Sequence, residues 1–258
     1  MSRFAHWRQA VVGWIYPPQC GGCEVPLSSP RQLEKPFLCE DCEDKLVPIP
    51  EGYCPVCGQS YDTPVGMTFR CGNCGDRELA FDFSVSGYRS TGEARQMMHA
   101  YKYGKQLHLS RLMGQLMQRV WNDTRLHEVD SWLVVPVPLH PKRQRGRGFN
   151  QSHEIAREFI RNAPPGMDLK LEPLLKRTRH TVRQAQLDRR ERLGNLRGAF
   201  GIRKKLSEEF VSRHGVLIVD DVMTTGTTVS ECAGILRSAG DGVSAEWSRI
   251  VGLSVLRG

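Results

Sequence analysis

Val216-Leu217-Ile218-Val219-Asp220-Asp221-Val222-Met223-Thr224-Thr225-Gly226-Thr227-Thr228 is the stretch from which the fold can be read. Four branched apolar residues in succession, without alternation, suit a strand covered on both faces, as in a parallel sheet with flanking helices. The polar residues then fall at the strand's C-terminal edge, where open α/β sheets take their ligands and the next helix begins. Val229, Cys232, Ala233 and Leu236 follow the i, i+3, i+4, i+7 spacing of that helix, and Gly240 is placed to end it. Cys232 falls on the apolar face and is expected to be packed there.

Thr224 to Thr228 thus lie at a helix N-terminus, where free backbone N–H groups and the positive dipole end favour a phosphate. Threonine hydroxyls add donors, and Gly226 lets the backbone approach closely. Asp220 and Asp221 need a different partner, because adjacent carboxylates repel phosphate unless they face ribose hydroxyls or a divalent metal. A Thr-capped helix with two solvated acids is the bland alternative. The full string resembles the phosphoribosyl pyrophosphate (PRPP) motif of type I phosphoribosyltransferases: hydrophobic residues, two acids, then a Thr/Gly loop. The resemblance implies that Asp220 and Asp221 bind the ribose 2'- and 3'-hydroxyls. It implies that Thr224, Thr225, Gly226, Thr227 and Thr228 hold the 5'-phosphate.

The chain has 258 residues, and its cysteines argue for two domains. Eight of the nine lie before residue 75, as the CxxC knuckles Cys20/Cys23, Cys39/Cys42, Cys54/Cys57 and Cys71/Cys74. Intervals of 15 residues between the first two knuckles and 13 between the last two are those of zinc ribbons. Two structural zinc sites, each with four cysteine ligands, are expected. Sequential pairing of knuckles is the simpler arrangement and an interleaved cross-brace the alternative. A disulfide framework is the competing reading, but no signal peptide is apparent ahead of the knuckles, and the pattern suits a reducing, cytoplasmic compartment. The division expected is a helix and double zinc-ribbon module over residues 1–78, then an α/β domain over 79–258.

Phe4 to Ile15 has the spacing of a short amphipathic helix, expected to dock on the protein body, and no stretch has the ~20 apolar residues of a membrane span. The net charge of +8 is local: Lys170 to Lys205 holds 12 Lys/Arg and 3 Asp/Glu. Cys20 to Glu78 holds 10 acidic and 5 basic residues, which makes the zinc module an unsuitable nucleic-acid footprint. Single-stranded DNA is a candidate partner of the basic 170–205 segment.

Elsewhere the pattern is strand, loop, helix. Ala80 to Val85 alternates like a strand, Glu93 to Tyr103 and Gln106 to Val120 are helical, and Trp132 to Pro138 is a short buried strand entering a Pro-punctuated turn. A basic loop, Lys142 to Gly148, precedes a helix starting near Asn150, and a last strand is expected near Trp247 to Val255. The order argues a doubly wound parallel α/β sheet. Arg143, Arg145 and Arg147, beside glycines at a strand end, suit pyrophosphate oxygens, since guanidinium forks bind them in bidentate fashion. A solvated basic turn is the plainer reading. Arg177 to Leu187, with Arg192 and Asn195 beyond, is long, basic and weakly periodic, which suits a lid ordering over a polyanion or an unstructured basic insertion. His140, His153 and His180 are read as hydrogen-bonding or surface residues rather than catalytic ones.

Together these elements resemble the competence protein F-like family, which joins an N-terminal zinc module to a type I phosphoribosyltransferase domain. The match is carried by the CxxC series, Tyr101-Lys102-Tyr103-Gly104, Val135-Pro136-Val137-Pro138-Leu139, Arg147-Gly148-Phe149-Asn150-Gln151-Ser152, the Arg179/Thr181/Gln184/Leu187/Arg192/Asn195 spacing and the PRPP motif. It implies a cytoplasmic protein linked to DNA uptake, with competence or DNA-processing proteins as candidate partners, and PRPP with Mg²⁺ as ligand. It also implies Pro138, Leu139, Lys142 and Arg147 at the pyrophosphate, Arg143, Arg145 and Arg147 as stabilisers of the leaving charge, and Arg179, Thr181, Gln184, Arg192 and Asn195 in the lid. Transfer of phosphoribosyl to an unidentified acceptor is the reaction implied; a non-catalytic PRPP-responsive module is the alternative. Only three residues follow the last expected strand, so any acceptor-binding hood is expected from the zinc module or from Ala80 to Gly104.

Overall fold

The computed structural model describes residues 18–27, 37–61, 69–75, 77–104, 106–179, 196, 198–203, 214–238 and 247–258. The Phe4–Ile15 helix and the lid residues Thr181, Gln184, Arg192 and Asn195 lie outside them.

The Val216 run forms the middle of a five-stranded sheet in which every neighbouring pair is parallel. In chain order the described elements are α1 (Glu40–Asp44), β1 (Phe83–Arg89), α2 (Gly92–Tyr103), α3 (Leu109–Met117), β2 (Ser131–Pro136), α4 (Pro141–Arg147) and α5 (Gln151–Arg161). They continue with β3 (Asp168–Leu171), β4 (Leu175–Arg177), β5 (Phe200–Ile202), β6 (Gly215–Met223), α6 (Thr227–Arg237) and β7 (Ile250–Arg257). The sheet order is β1-β7-β6-β2-β3, and β4 and β5 form a separate antiparallel pair.

The absence of alternation in β6 has the expected cause. Leu217 and Val219 join Trp132, Val134, Val251 and Leu253 in a core completed by Met113, Met117, Ile155 and Phe159 of α3 and α5. Val216 and Ile218 face the other way, with Leu133, Val135 and Ile250, into a core completed by Val229, Cys232, Ala233 and Leu236 of α6. Cys232 is fully buried there. Helices on both faces make the sheet doubly wound.

From β2 the chain winds outward through α5 to β3, and from β6 it winds the opposite way through α6 to β7. The β2/β6 boundary is therefore the topological switch point, the place where ligands bind in open α/β sheets. Strand β2 leaves the sheet at Pro136, paired with Val219, while β6 stays paired with β7 as far as Met223 and Arg257. The two strand ends diverge, and a cleft opens between them.

Some boundaries differ from those the sequence suggests. Strand β6 carries both aspartates near its C-terminal end, as expected, and runs two residues further to Met223, because β7 keeps pairing on one side. β1 begins at Phe83, three residues beyond Ala80. Helix α6 ends at Arg237, and Gly240 lies outside the described residues. The basic stretch expected as a loop is the helix α4. Pro141 stands in its first turn, the His140 ring accepts from the Lys142 N–H at 3.2 Å, and Gly148 ends it with φ +92°. Proline at the start and a left-handed glycine at the end are helix boundaries that the basic composition obscures.

The Cys-rich segment packs on the sheet domain. Cys20, Cys39 and Cys42 belong to the same core as Met97, Leu109 and Leu112 of α2 and α3. The later cysteines lie against β1 and β7, where the Ser84 N–H donates to the Val56 carbonyl at 2.8 Å and Arg257 reaches Cys57. Among the described residues no helix is long and apolar enough to cross a membrane.

Candidate ligand cleft and metal centres

The eight knuckle cysteines gather as Cys20, Cys23, Cys39, Cys42 and as Cys54, Cys57, Cys71, Cys74, with the Sγ atoms of each group all within 4.8 Å of one another. The pairing is sequential, not cross-braced. Four thiolates bonded at ~2.3 Å to a tetrahedral ion stand ~3.8 Å apart, and the Cys23–Cys39 and Cys57–Cys71 sulfurs are 3.6 and 3.5 Å apart. Backbone N–H groups of Gly22 and Cys39 point at the Cys20 sulfur at 3.4 and 3.3 Å, and that of Cys71 at the Cys54 sulfur at 3.4 Å. Such N–H···S contacts stabilise thiolates around a metal. The two groups fit two structural zinc ions, and four thiolates leave no open coordination position.

At the β2/β6 switch point lies a cleft of about 610 Å³. The first turns beyond β2 supply Val137, Pro138 and Leu139, and α4 supplies Arg143. Strand β6 and its turn supply Asp220, Asp221, Val222, Thr224 and Thr228. These two stretches, Val137 to Arg143 and Asp220 to Thr228, are distant in sequence and meet because β2 and β6 are neighbours in register.

The carboxylates are held in different ways. Asp220 Oδ1 accepts from the Ser152 hydroxyl at 3.2 Å and from the Asp221 N–H at 2.9 Å. Burial, and then the Asp221 charge, push its pKa up to about 7. Asp221 is 5 % exposed and forms an ion pair through Oδ1 with Lys102 Nζ at 2.7 Å. Its other oxygen, Oδ2, is buried and has no hydrogen-bond partner among the described residues. A buried acceptor with no donor costs about 1–3 kcal/mol, so the arrangement fits a further donor or a divalent cation.

The turn after β6 has the geometry of an anion cradle. Gly226 has φ +74° and is the N-cap of α6, so the cap position offers no side-chain acceptor to the first turn. The Thr225 and Thr227 hydroxyls are 2.9 Å apart, and one donates a hydrogen bond to the other. Across the cleft, burial and then the positive charge of Arg143 lower the pKa of Arg177. Two neighbouring guanidinium groups at one wall favour an anion between them.

Three expected basic residues are not on this wall. Lys142 and Arg145 are exposed on α4, and Arg147 turns back to lie over the Tyr103 ring, 5.5 Å from its centroid. Helix geometry accounts for two of the three: Lys142 and Arg145 stand one and two residues from Arg143 and point elsewhere, whereas Arg147, one turn further along the same face, is taken up by the Tyr103 ring at the cleft's edge. Arg179 is exposed just beyond β4.

Residues with no role assigned from sequence complete the cleft. Arg95, His99, Lys102 and Tyr103 stand on one face of α2, and Gln151 and Gly258 join them; Arg177, the first residue of the stretch expected as a lid, lines the cleft as well. Their i, i+4, i+7, i+8 spacing marks a shared face, but a polar face on a helix normally looks like a solvated one. Helix α2 is fixed there by Tyr101, whose hydroxyl donates to the Gln151 carbonyl at 3.0 Å and whose ring lies 5.3 Å from that of Phe149.

Residues 11–76 match the double zinc ribbon domain family. The chain is 30 % identical over 211 residues to competence protein F of Haemophilus influenzae, covering 81 % of this chain and 87 % of that protein. It is 29 % identical over 235 residues to the DNA utilization protein YhgH of Escherichia coli, covering 90 % and 96 %. With competence protein ComFC of Bacillus subtilis it shares 25 % identity over 218 residues, 80 % of each chain. Zinc ribbons at the N-terminal end, a doubly wound sheet behind them and likeness along most of the chain place it: it belongs to the competence protein F family.

Proposed function

We propose that the cleft binds PRPP and that the protein transfers its phosphoribosyl group to an acceptor. One observation carries the reading: an acidic pair, a Thr/Gly turn at a helix N-terminus and the guanidinium of Arg143 on α4 converge in one cleft at the sheet's switch point. The Thr224–Thr228 turn takes the 5'-phosphate through its backbone N–H groups. Asp220 and Asp221 accept from the ribose hydroxyls. Pro138, Leu139 and Arg143, with Arg177, face the pyrophosphate.

In the reaction the bond from the anomeric carbon to pyrophosphate breaks, the leaving group takes the electron pair, and the acceptor's lone pair forms the new bond. Arg143 and Arg177 stabilise the charge developing on the leaving oxygens, and the turn and the acidic pair hold the ribose so that the acceptor meets C1 in line. Asp220 and Asp221 would hold Mg²⁺, which when bound supplies neutralisation of the pyrophosphate and polarisation of the ribose hydroxyls. The unpartnered Asp221 Oδ2 supports that placement.

The names of the relatives, competence and DNA utilization, support a role in DNA uptake with partners from that machinery. They also favour a second reading in which single-stranded DNA binds along the basic 170–205 segment while PRPP regulates it. Titrating PRPP with Mg²⁺ into wild type and Asp221→Ala by calorimetry tests the site. Binding by wild type and its loss in the variant are expected; equal binding by both would remove the acidic pair from the reading. Pyrophosphate release across a panel of bases and nucleotides separates transferase from responsive module.

A further inference from the structure

The second cysteine cluster touches the phosphate-loop side of the cleft at three points. Arg257, 4 % exposed, donates from Nε to the Cys57 carbonyl at 2.9 Å and from Nη2 to the Cys57 sulfur at 3.3 Å. Its Nη1 donates to the Met223 carbonyl at 3.1 Å and to the Gly258 carbonyl. Asn73, between Cys71 and Cys74, donates from Nδ2 to the Thr225 carbonyl at 3.1 Å. Arg77 donates to the same carbonyl at 3.0 Å, to Asn73 Oδ1 at 3.1 Å and to the Thr227 hydroxyl at 3.4 Å.

These contacts act on the orientation of peptide planes. In a trans peptide the carbonyl and the following N–H point in opposite directions. Holding the Met223 carbonyl with Arg257 and with the Gly258 N–H, 2.8 Å away, turns the Thr224 N–H away from the cluster. Holding the Thr225 carbonyl with Asn73 and Arg77 does the same for the Gly226 N–H. Two donors of the turn are thereby aimed before any ligand arrives, by side chains whose own positions depend on Cys57, Cys71 and Cys74. Arg77 also brings a positive charge to the turn, which adds to the dipole of α6.

We propose that the second zinc ribbon is the positioning frame of the Thr224–Thr228 turn, with Asn73, Arg77 and Arg257 as positioning residues, so that metal loading of Cys54, Cys57, Cys71 and Cys74 sets the turn's affinity for a sugar phosphate monoester. The ligand class rests on the function proposed above; the mechanical coupling does not. The first cluster is packed on α2 and α3 and makes no such contact with the turn among the described residues.

The test uses the full chain, ribose 5-phosphate as probe, and hydrogen exchange of the 224–228 amides. Arg77→Met is expected to keep its zinc and its thermal midpoint, to raise exchange in the turn, and to weaken ribose 5-phosphate about tenfold, the worth of a charged hydrogen bond. Arg77→Lys should recover part of that loss, which a merely structural role would not produce. Asn73→Ala, assayed with metal content, provides the second variant, and zinc removal from wild type should raise exchange in the same amides. Unchanged exchange and affinity in both variants would overturn the proposal. Raised exchange in a protein whose wild type takes no ribose 5-phosphate would keep the frame and discard the phosphate reading of the turn.

Discussion

Lys102 Nζ stands 2.7 Å from Asp221 Oδ1, with the lysine side chain 20 % and the aspartate 6 % exposed. The ammonium thus offsets the charge of Asp221 from α2, an element that reaches the cleft from the edge strand β1. Removing one partner of a buried pair leaves an uncompensated charge and costs about 3–5 kcal/mol. Lys102→Met is therefore expected to lose about 3 kcal/mol in urea unfolding at pH 8. Mg²⁺ should restore part of this by replacing the lost cation. A loss of the same size with and without Mg²⁺ would argue against Asp220 and Asp221 as a cation site.

The proton on Asp220 gives the site a pH dependence. Its folded pKa of about 7 lies above the ~4 of an unfolded aspartate. Between these values the folded chain binds more protons than the unfolded one, so this group's contribution to stability falls as pH rises from about 4 to about 7. Binding of a cation or of ribose hydroxyls to the carboxylate follows the opposite course, strengthening as Asp220 ionises. From pH 6 to pH 8 the ionised fraction grows about tenfold, and Mg²⁺-dependent PRPP affinity should grow with it. Asp220→Asn should flatten the stability profile over the same window, which urea melts at several pH values will read.

How legible each part was depended on whether its signal was local. The covered strand, the Thr/Gly turn and the cysteine pairs are each written in consecutive or near-consecutive residues: Val216 to Val219 lie on alternating faces of one sheet as their uninterrupted apolar character requires. Interval lengths made sequential knuckle pairing the simpler arrangement without removing the cross-brace, and the gathering of the sulfurs decides between them. Ala80 to Gly104 was legible as a source of further lining, but the α2 residues that provide it were not, because Arg95, His99 and Lys102 acquire meaning only when the parallel β1–β7 pairing carries α2 to the end of β6. The misreading of α4 has another origin. Arginine density reads as loop character, although Pro141 and Gly148 bracket a helix that sets Arg143 in the cleft and Arg147, one turn on, against Tyr103 at its edge.

Metal removal should reach beyond the ribbons. Cys20, Cys39 and Cys42 share one core with Met97, Leu112 and, further along, Trp132 and Phe159. Loss of metal from the first site uncouples the thiols that close this core, and metal binding energy in such sites is folding energy. Cys42→Ser should reduce zinc from two ions to one per chain and lower the melting temperature of the entire molecule, reported by near-ultraviolet circular dichroism of the buried Trp132. A protein that loses one zinc yet keeps the Trp132 signal and its melting temperature would show the first ribbon to be an appendage.

Gly226 is the residue on which the turn's backbone depends. Its φ of +74° is left-handed, and a Cβ there would come within 3.3 Å of Phe81 Cζ. A non-glycine residue pays about 1–2 kcal/mol for that backbone region, and the aromatic contact opposes relaxation. Gly226→Ala should therefore lower unfolding stability by about 2 kcal/mol. If the turn is the phosphate cradle, ribose 5-phosphate affinity should fall further than Gly114→Ala at the α3–α5 contact makes it fall. There an added Cβ meets the Glu158 Cβ at 2.4 Å and strains packing away from the cleft. Calorimetry on the two variants at matched folded fraction separates the effects: affinity lost in Gly226→Ala alone assigns the phosphate to the turn, and equal loss in both would trace it to general loosening of the sheet domain.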